Sequence, residues 1–330
     1  INVMKNVSKL ALFVAAGMMT AGAQAATIEI PDGTTMGLEG EFTSEYIVNE
    51  TVDTNSANED NKSDLTGEAT LALTAERSFD DFVGYVELGY SFKTQNNAEG
   101  STVSSDGAVA GLKGNFGQLE VGDTDSVYED LIHDAADIFE QASLSYGDYD
   151  LDKTSAADGD NMITYYSPEM SGLSVNLQLG ILDEAENAGN TDVNMIAGAA
   201  YDFGVGAFHV GYNDFGVKPN SSDDLLGFAV VFGAGAAEIS LVHEMETLDG
   251  ADTDYTGMTL SYDYGAGDIY GAIQSVSPDA DGESDLSQYA IGASADLADG
   301  LSAYAEYGNL DGQSANEKDT VIAVGVAFAF

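Results

Sequence analysis

Apolar and polar positions alternate with a period of two along most of this chain. Over 65–75, Leu65, Gly67, Ala69, Leu71, Leu73 and Ala75 alternate with Thr66, Glu68, Thr70, Ala72 and Thr74. Over 82–93, Phe82, Gly84, Val86, Leu88, Tyr90 and Phe92 alternate with Val83, Tyr85, Glu87, Gly89, Ser91 and Lys93. The pattern returns at 173–181 and 193–203, and in a last run that puts Ile322, Val324, Val326, Phe328 and Phe330 on one face. Such runs predict strands with one apolar face and one polar or small face. Short turns (79–81, 115–117, 203–206, 233–235, 265–267, 298–300) trade places with longer polar stretches at 49–63, 94–105, 183–191, 213–224, 247–254, 277–286 and 310–319. Short turns at one end and long loops at the other mark bacterial membrane barrels, whose strand number is even; roughly 16 strands are expected here.

A soluble β-sandwich alternates as well, so the wet face decides between them. Tyr and Phe gather near strand ends (Phe79, Phe82, Tyr90, Phe92, Tyr201, Phe203, Tyr262, Tyr264, Phe328, Phe330), as an interfacial aromatic girdle requires. The predicted fold class is therefore all-β, a transmembrane antiparallel β-barrel.

Composition sharpens this. The chain has 330 residues, 38 glycines, 17 tyrosines, 4 prolines and no cysteine. Disulfides and thiolate metal sites are thereby excluded. Nine Lys plus Arg stand against 57 Asp plus Glu, a net charge of −48. Such a field repels nucleic acid and draws in cations, although most of these acids are equally read as a solvated surface. Residues 1–25 read as an export signal, with 1–3 upstream of a start at Met4. Lys5 and Lys9 are basic, Leu10 to Met19 is an apolar run, and Ala23-Gln24-Ala25 is a small-residue cleavage site. The barrel is expected over 26–330.

Gly111-Leu112-Lys113-Gly114-Asn115-Phe116-Gly117-Gln118-Leu119-Glu120-Val121-Gly122 resembles the strand-turn-strand before the third loop of Gram-negative general porins. Ile163-Thr164-Tyr165-Tyr166-Ser167-Pro168-Glu169-Met170-Ser171-Gly172-Leu173-Ser174 is similar to the strand-turn-strand after it. The start, Ala26 to Gly40, resembles the family's opening strand, and Phe330 matches its terminal aromatic. The resemblance implies a homotrimer of 16-stranded barrels in outer-membrane lipid and lipopolysaccharide, each with its third loop folded into the lumen. It also implies an eyelet where loop acids face a basic wall. Asp123 departs from the family, which commonly has Arg there, and the only arginine, Arg77, falls on outward parity.

The third loop is expected at 123–161, too long for an idle connection in a compact fold. Ser126 to His133 predicts a short helix with Ser126 as its cap and acids in its first turn. Glu129, Asp130, Asp134, Asp137 and Glu140 are the candidate pore constriction, with Ile138 and Phe139 available to pin the loop to the wall. The competing reading is an extracellular lid with solvated acids. Parity assigns Glu68, Glu76, Glu87, Glu120, Lys93 and Lys113 to the pore wall. The function expected is passive diffusion of small hydrophilic solutes and ions with cation preference. A substrate-specific channel, or a non-conducting structural or adhesive barrel, is the alternative. No cofactor is expected; Asp252, Asp254, Asp279 and Asp281 are weak Ca²⁺ or Mg²⁺ candidates, since their spacing does not fit a twelve-residue calcium loop. The three histidines, His133, His209 and His243, stand in no hydrolase motif, and no catalytic residue is assigned.

Overall fold

The computed structural model describes residues 26–30, 33–53, 59–94, 102–142, 162–181, 193–218, 221–248, 251–279, 285–311 and 317–330. The export signal expected at 1–25, the loop segment 143–161 and Asp281 lie outside the described residues.

Seventeen strands follow in chain order: β1 (Ala26–Glu29), β2 (Thr34–Asp53), β3 (Glu59–Ser78), β4 (Phe82–Thr94), β5 (Thr102–Gly114), β6 (Gly117–Asp123), β7 (Met162–Tyr166), β8 (Leu173–Ile181) and β9 (Val193–Asp202), then β10 (Gly206–Lys218), β11 (Ser221–Ala234), β12 (Ala237–Leu248), β13 (Ala251–Asp263), β14 (Asp268–Pro278), β15 (Leu286–Ala298), β16 (Leu301–Asp311) and β17 (Glu317–Ala329). From β2 onward each strand pairs antiparallel with the next, and β17 returns to pair with β2 from Glu317↔Asp53 to Ala329↔Glu41. Phe330 N–H donates to the Gly40 carbonyl at 2.9 Å, and Gly40 N–H donates back at 3.1 Å. β1 pairs with β2 beyond this point, Ala26↔Leu38 to Glu29↔Thr35, and so continues the line of β17. Seventeen strands thus make a closed ring of 16 positions. Closure leaves no open sheet edge, which is what the hydrocarbon demands of a spanning sheet.

The ring is inside-out. On the outward face Val324 (55%), Leu241 (50%) and Ile291 (57%) are exposed, whereas Gln178, Thr164 and Glu244 on the other face are fully buried. A soluble sandwich requires the reverse. Phe79 and Phe82 stack at 4.8 Å beside one short turn, with the Arg77 guanidinium 5.8 Å above Phe79, in the outward position parity gives it.

Three loop expectations are corrected. The stretches 213–224 and 247–254 lie largely in strand, because β10 runs to Lys218, β11 resumes at Ser221, β12 reaches Leu248 and β13 starts at Ala251. The ladder likewise continues through much of 49–63, where β2 pairs with β3 out to Val52↔Glu59. Beyond the lipid both faces of a strand are wet. Alternation therefore vanishes from the sequence while the hydrogen bonds go on.

Candidate functional site

The chain leaves the wall after β6 and returns at β7, and the described part of the intervening loop crosses the ring. Its first residues touch β8, its middle lies on β9 to β12, and residues 139–142 reach β14, β16 and β2. Contacts on so many strands, all to the polar face, place this segment in the lumen rather than over the mouth. The extracellular-lid reading does not hold for 124–142.

Three anchors hold it. Gln178 on β8 accepts the Val127 N–H at 3.1 Å through its carbonyl. Its amide nitrogen shares two N–H donors among Thr124 Oγ1 and the Asp125 carbonyl at 2.8 Å and Thr164 Oγ1 at 3.0 Å. Glu244 on β12 accepts the Tyr128 hydroxyl at 2.9 Å and lies 2.7 Å from His133 Nε2. Glu306 on β16 accepts the backbone N–H groups of Glu140 and Gln141 at 2.9 Å and of Ala142 at 3.1 Å, together with the Tyr270 hydroxyl at 2.9 Å. A carboxylate gathering several donors is strongly held, because charge-assisted hydrogen bonds are the strong ones.

The short helix expected from Ser126 appears as one π-helical turn, Glu129–His133, entered through residues 127–128. Ser126 Oγ accepts the Tyr128 N–H at 3.2 Å, and the Ser126 carbonyl accepts the Asp130 N–H at 3.0 Å. Val127, Tyr128, Leu131 and Ile132 are buried against the wall. Phe139 meets Tyr270 edge-on at 5.1 Å. The apolar side chains take the wall side, and Glu129, Asp130, Asp134, Asp137 and Glu140 remain partly accessible along the loop. Burial raises the Asp134 carboxyl to about 8, helped by Asp130, Asp137 and Asp125. Glu140 is likewise pushed up to about 8, first by burial and then by Glu41, Glu306 and Glu45.

The wall residues chosen by parity face the lumen. Lys93 Nζ lies 3.3 Å from Glu68, and Lys113 pairs with Glu76 while sitting 5.5 Å over the Tyr85 ring. Glu120 is buried and accepts from Tyr85 and from Gln118. Glu87 stands in register with Thr74 on β3 and Val109 on β5. Sequence reasoning missed Glu41, Glu45, Glu244, Glu246 and Glu306. Parity alone would have put these on the inner wall, but the loop partners of Glu45, Glu244 and Glu306 are set by tertiary folding. Of the weak metal candidates, Asp252 accepts the Thr247 hydroxyl at 3.0 Å and its carbonyl accepts the Asp279 N–H at 2.8 Å. Asp254 is exposed opposite Ser277, and no cluster of three acids or histidines suited to a metal ion occurs among the described residues.

A closed polar-lined barrel with an inserted third loop is the architecture the two flanking motifs imply. The family model for Gram-negative porins matches residues 11–317. The chain belongs to the Gram-negative porin family. A monosaccharide porin of a Halomonas species and the major outer membrane protein of Halomonas elongata are each 24% identical to it, over 97% of this chain and 99% of theirs. A porin of Rhodobacter capsulatus is 26% identical over 74% of this chain and 87% of its own. Among solved structures, Salmonella typhi OmpF in complex with daunomycin superposes with a TM-score of 0.71 at 17% identity, covering 92% of this chain and all of that one. A Rh. blastica porin mutant superposes with a TM-score of 0.67 at 16% identity, over 89% of this chain. This porin is thus an outer-membrane diffusion channel of the 16-stranded class.

Proposed function

We propose that this porin passes small hydrophilic solutes and ions with a preference for cations, through an eyelet bounded by its inserted loop. The observation that carries this is the charge inventory of the lumen. Acidic side chains stand on the loop (Glu129, Asp130 and Asp137, joined by Asp134 and Glu140 as pH rises through about 8) and around the wall (Glu41, Glu45, Glu68, Glu76, Glu87, Glu120), while both parity-assigned lysines sit beside a glutamate of that wall. Low-dielectric walls weaken screening in a narrow passage, so fixed charge of one sign enriches the opposite ion. The screening length at physiological salt is about 8 Å, so charges within that reach of the passage act on ions in it.

The reversal potential across a planar bilayer in a KCl gradient tests this. Cation preference is expected, and a potential of the anion-selective sign overturns the selectivity. A second reading, uptake of neutral sugars, is favoured by the relative described as a monosaccharide porin. Liposome swelling in monosaccharide against disaccharide measures it. The inward Tyr85, Tyr270 and Tyr304 give it less support, because each hydroxyl is already donated to a wall carboxylate. Assembly as a homotrimer in a lipopolysaccharide-bearing membrane follows from the family reading. An apolar outer belt suits both lipid and a neighbouring barrel.

A further inference from the structure

One arrangement recurs on the inner wall. Tyr85 on β4 is in register with Gly111 on β5, and Gly111 with Glu120 on β6. Tyr270, Gly292 and Glu306 stand in the same order on β14, β15 and β16. Tyr304, Gly325 and Glu45 do so on β16, β17 and β2. In each rung the tyrosine ring lies across the glycine, filling the space a Cβ would need, and its hydroxyl donates to the glutamate two strands away. A glycine in mid-strand is the condition for the ring to lie flat.

A fourth row has the same glycine and glutamate, but a glycine rather than a tyrosine stands two strands before the glutamate; Tyr255 on β13, across from Glu244, donates to Glu246 instead. Gly211 on β10 is in register with Gly227 on β11, and Gly227 with Glu244 on β12; Gly198 on β9 extends the row on the other side. The tyrosine is supplied by the loop. The Tyr128 ring lies over Gly211 and Gly227, its nearest ring atom 2.9 Å from where a Cβ of Gly211 would be, and its hydroxyl donates to Glu244 at 2.9 Å. Leu131 fills the space above Gly198, and Ile132 lies beside Gly211.

We infer that Tyr128 completes this open rung, and that Gly211, Gly227 and Glu244 are the positioning residues that seat the third loop. Gly211 occupies the place a wall tyrosine holds in the other rows. The loop thus docks by substituting its own ring for a missing one. Its place in the lumen, and through it the eyelet of the channel proposed above, is set by this row.

Hydrogen exchange of loop amides in the detergent-folded full chain tests the seat without relying on conduction. The amides of Asp130, Asp134, Ala136 and Asp137 report it, since each donates to a backbone carbonyl within the loop. A hydrogen bond to a charged partner changes an opening equilibrium by about ten- to a hundredfold. Y128F is therefore expected to speed exchange of these amides by about tenfold or more while β4 and β5 keep wild-type protection. His133 shares Glu244, so E244Q acts on both contacts, and the Y128F/E244Q double variant should be no faster than E244Q alone. Planar-bilayer recordings of Y128F should show partial closures that wild type lacks. Wild-type loop exchange in Y128F, or additive effects in the double variant, overturns the seat. If wild type passes no current yet exchange behaves as expected, the channel reading fails and the seat stands.

Discussion

At the scale of single residues, the lumen keeps acids whose charge depends on pH. Asp134 and Glu140 are both held near 8 because burial and neighbouring carboxylates disfavour their ionised forms. Below that value they are mostly neutral, and as pH rises through it they add negative charge beside the passage. Cation preference is accordingly expected to increase between pH 6 and pH 9, read as a shift of reversal potential in a fixed KCl gradient. D134N/E140Q should flatten that increase, and a slope equal to wild type would move the titrating groups elsewhere. The linkage sign is opposite for stability. A carboxyl whose pKa is higher folded than unfolded holds its proton in the native loop between about 4 and 8, so loop stability declines as pH rises across that window.

At the scale of elements, the β6–β7 wall from which the loop departs depends on one turn. Gly117 has φ 101°, a left-handed conformation, and a Cβ there would collide with the Tyr166 carbonyl oxygen. G117V combines backbone strain of about 1–3 kcal/mol with that collision. Its folded fraction should drop in urea titrations followed by heat-modifiable gel mobility, and an unchanged midpoint would show that the turn relaxes freely. The two motifs flanking the loop were legible because turn chemistry is local. The π-helical turn was only half legible. Its Ser126 cap and first-turn acids could be read, but the wider turn is fixed by what lies beneath it, since Tyr128, Leu131 and Ile132 must all reach the glycine row. The strand ends at 213–224 and 247–254 were misread for the converse reason, that period-two signal exists only where one face meets lipid.

At the scale of the whole molecule, the inside-out arrangement carries everything else. Leu241 points into lipid and pairs with Met258, also outward. L241R should cost about 2–4 kcal/mol if the site lies near the bilayer midplane. The check is the urea midpoint of the folded barrel in lipid vesicles. No loss of stability would place Leu241 away from lipid.

The sequence by itself determined the strands, their parity, the near-count of the ring and the excess of acid over base, because each of these is written in local alternation and composition. It also determined that Lys93 and Lys113 face inward and Arg77 outward. Only the tertiary structure decided which carboxylates hold the loop and which glycines receive it. Glu244 and Glu306 meet Tyr128 and Glu140 across more than 100 residues of chain. No local pattern encodes such a meeting; it exists once the ring has closed and brought distant strands to one wall.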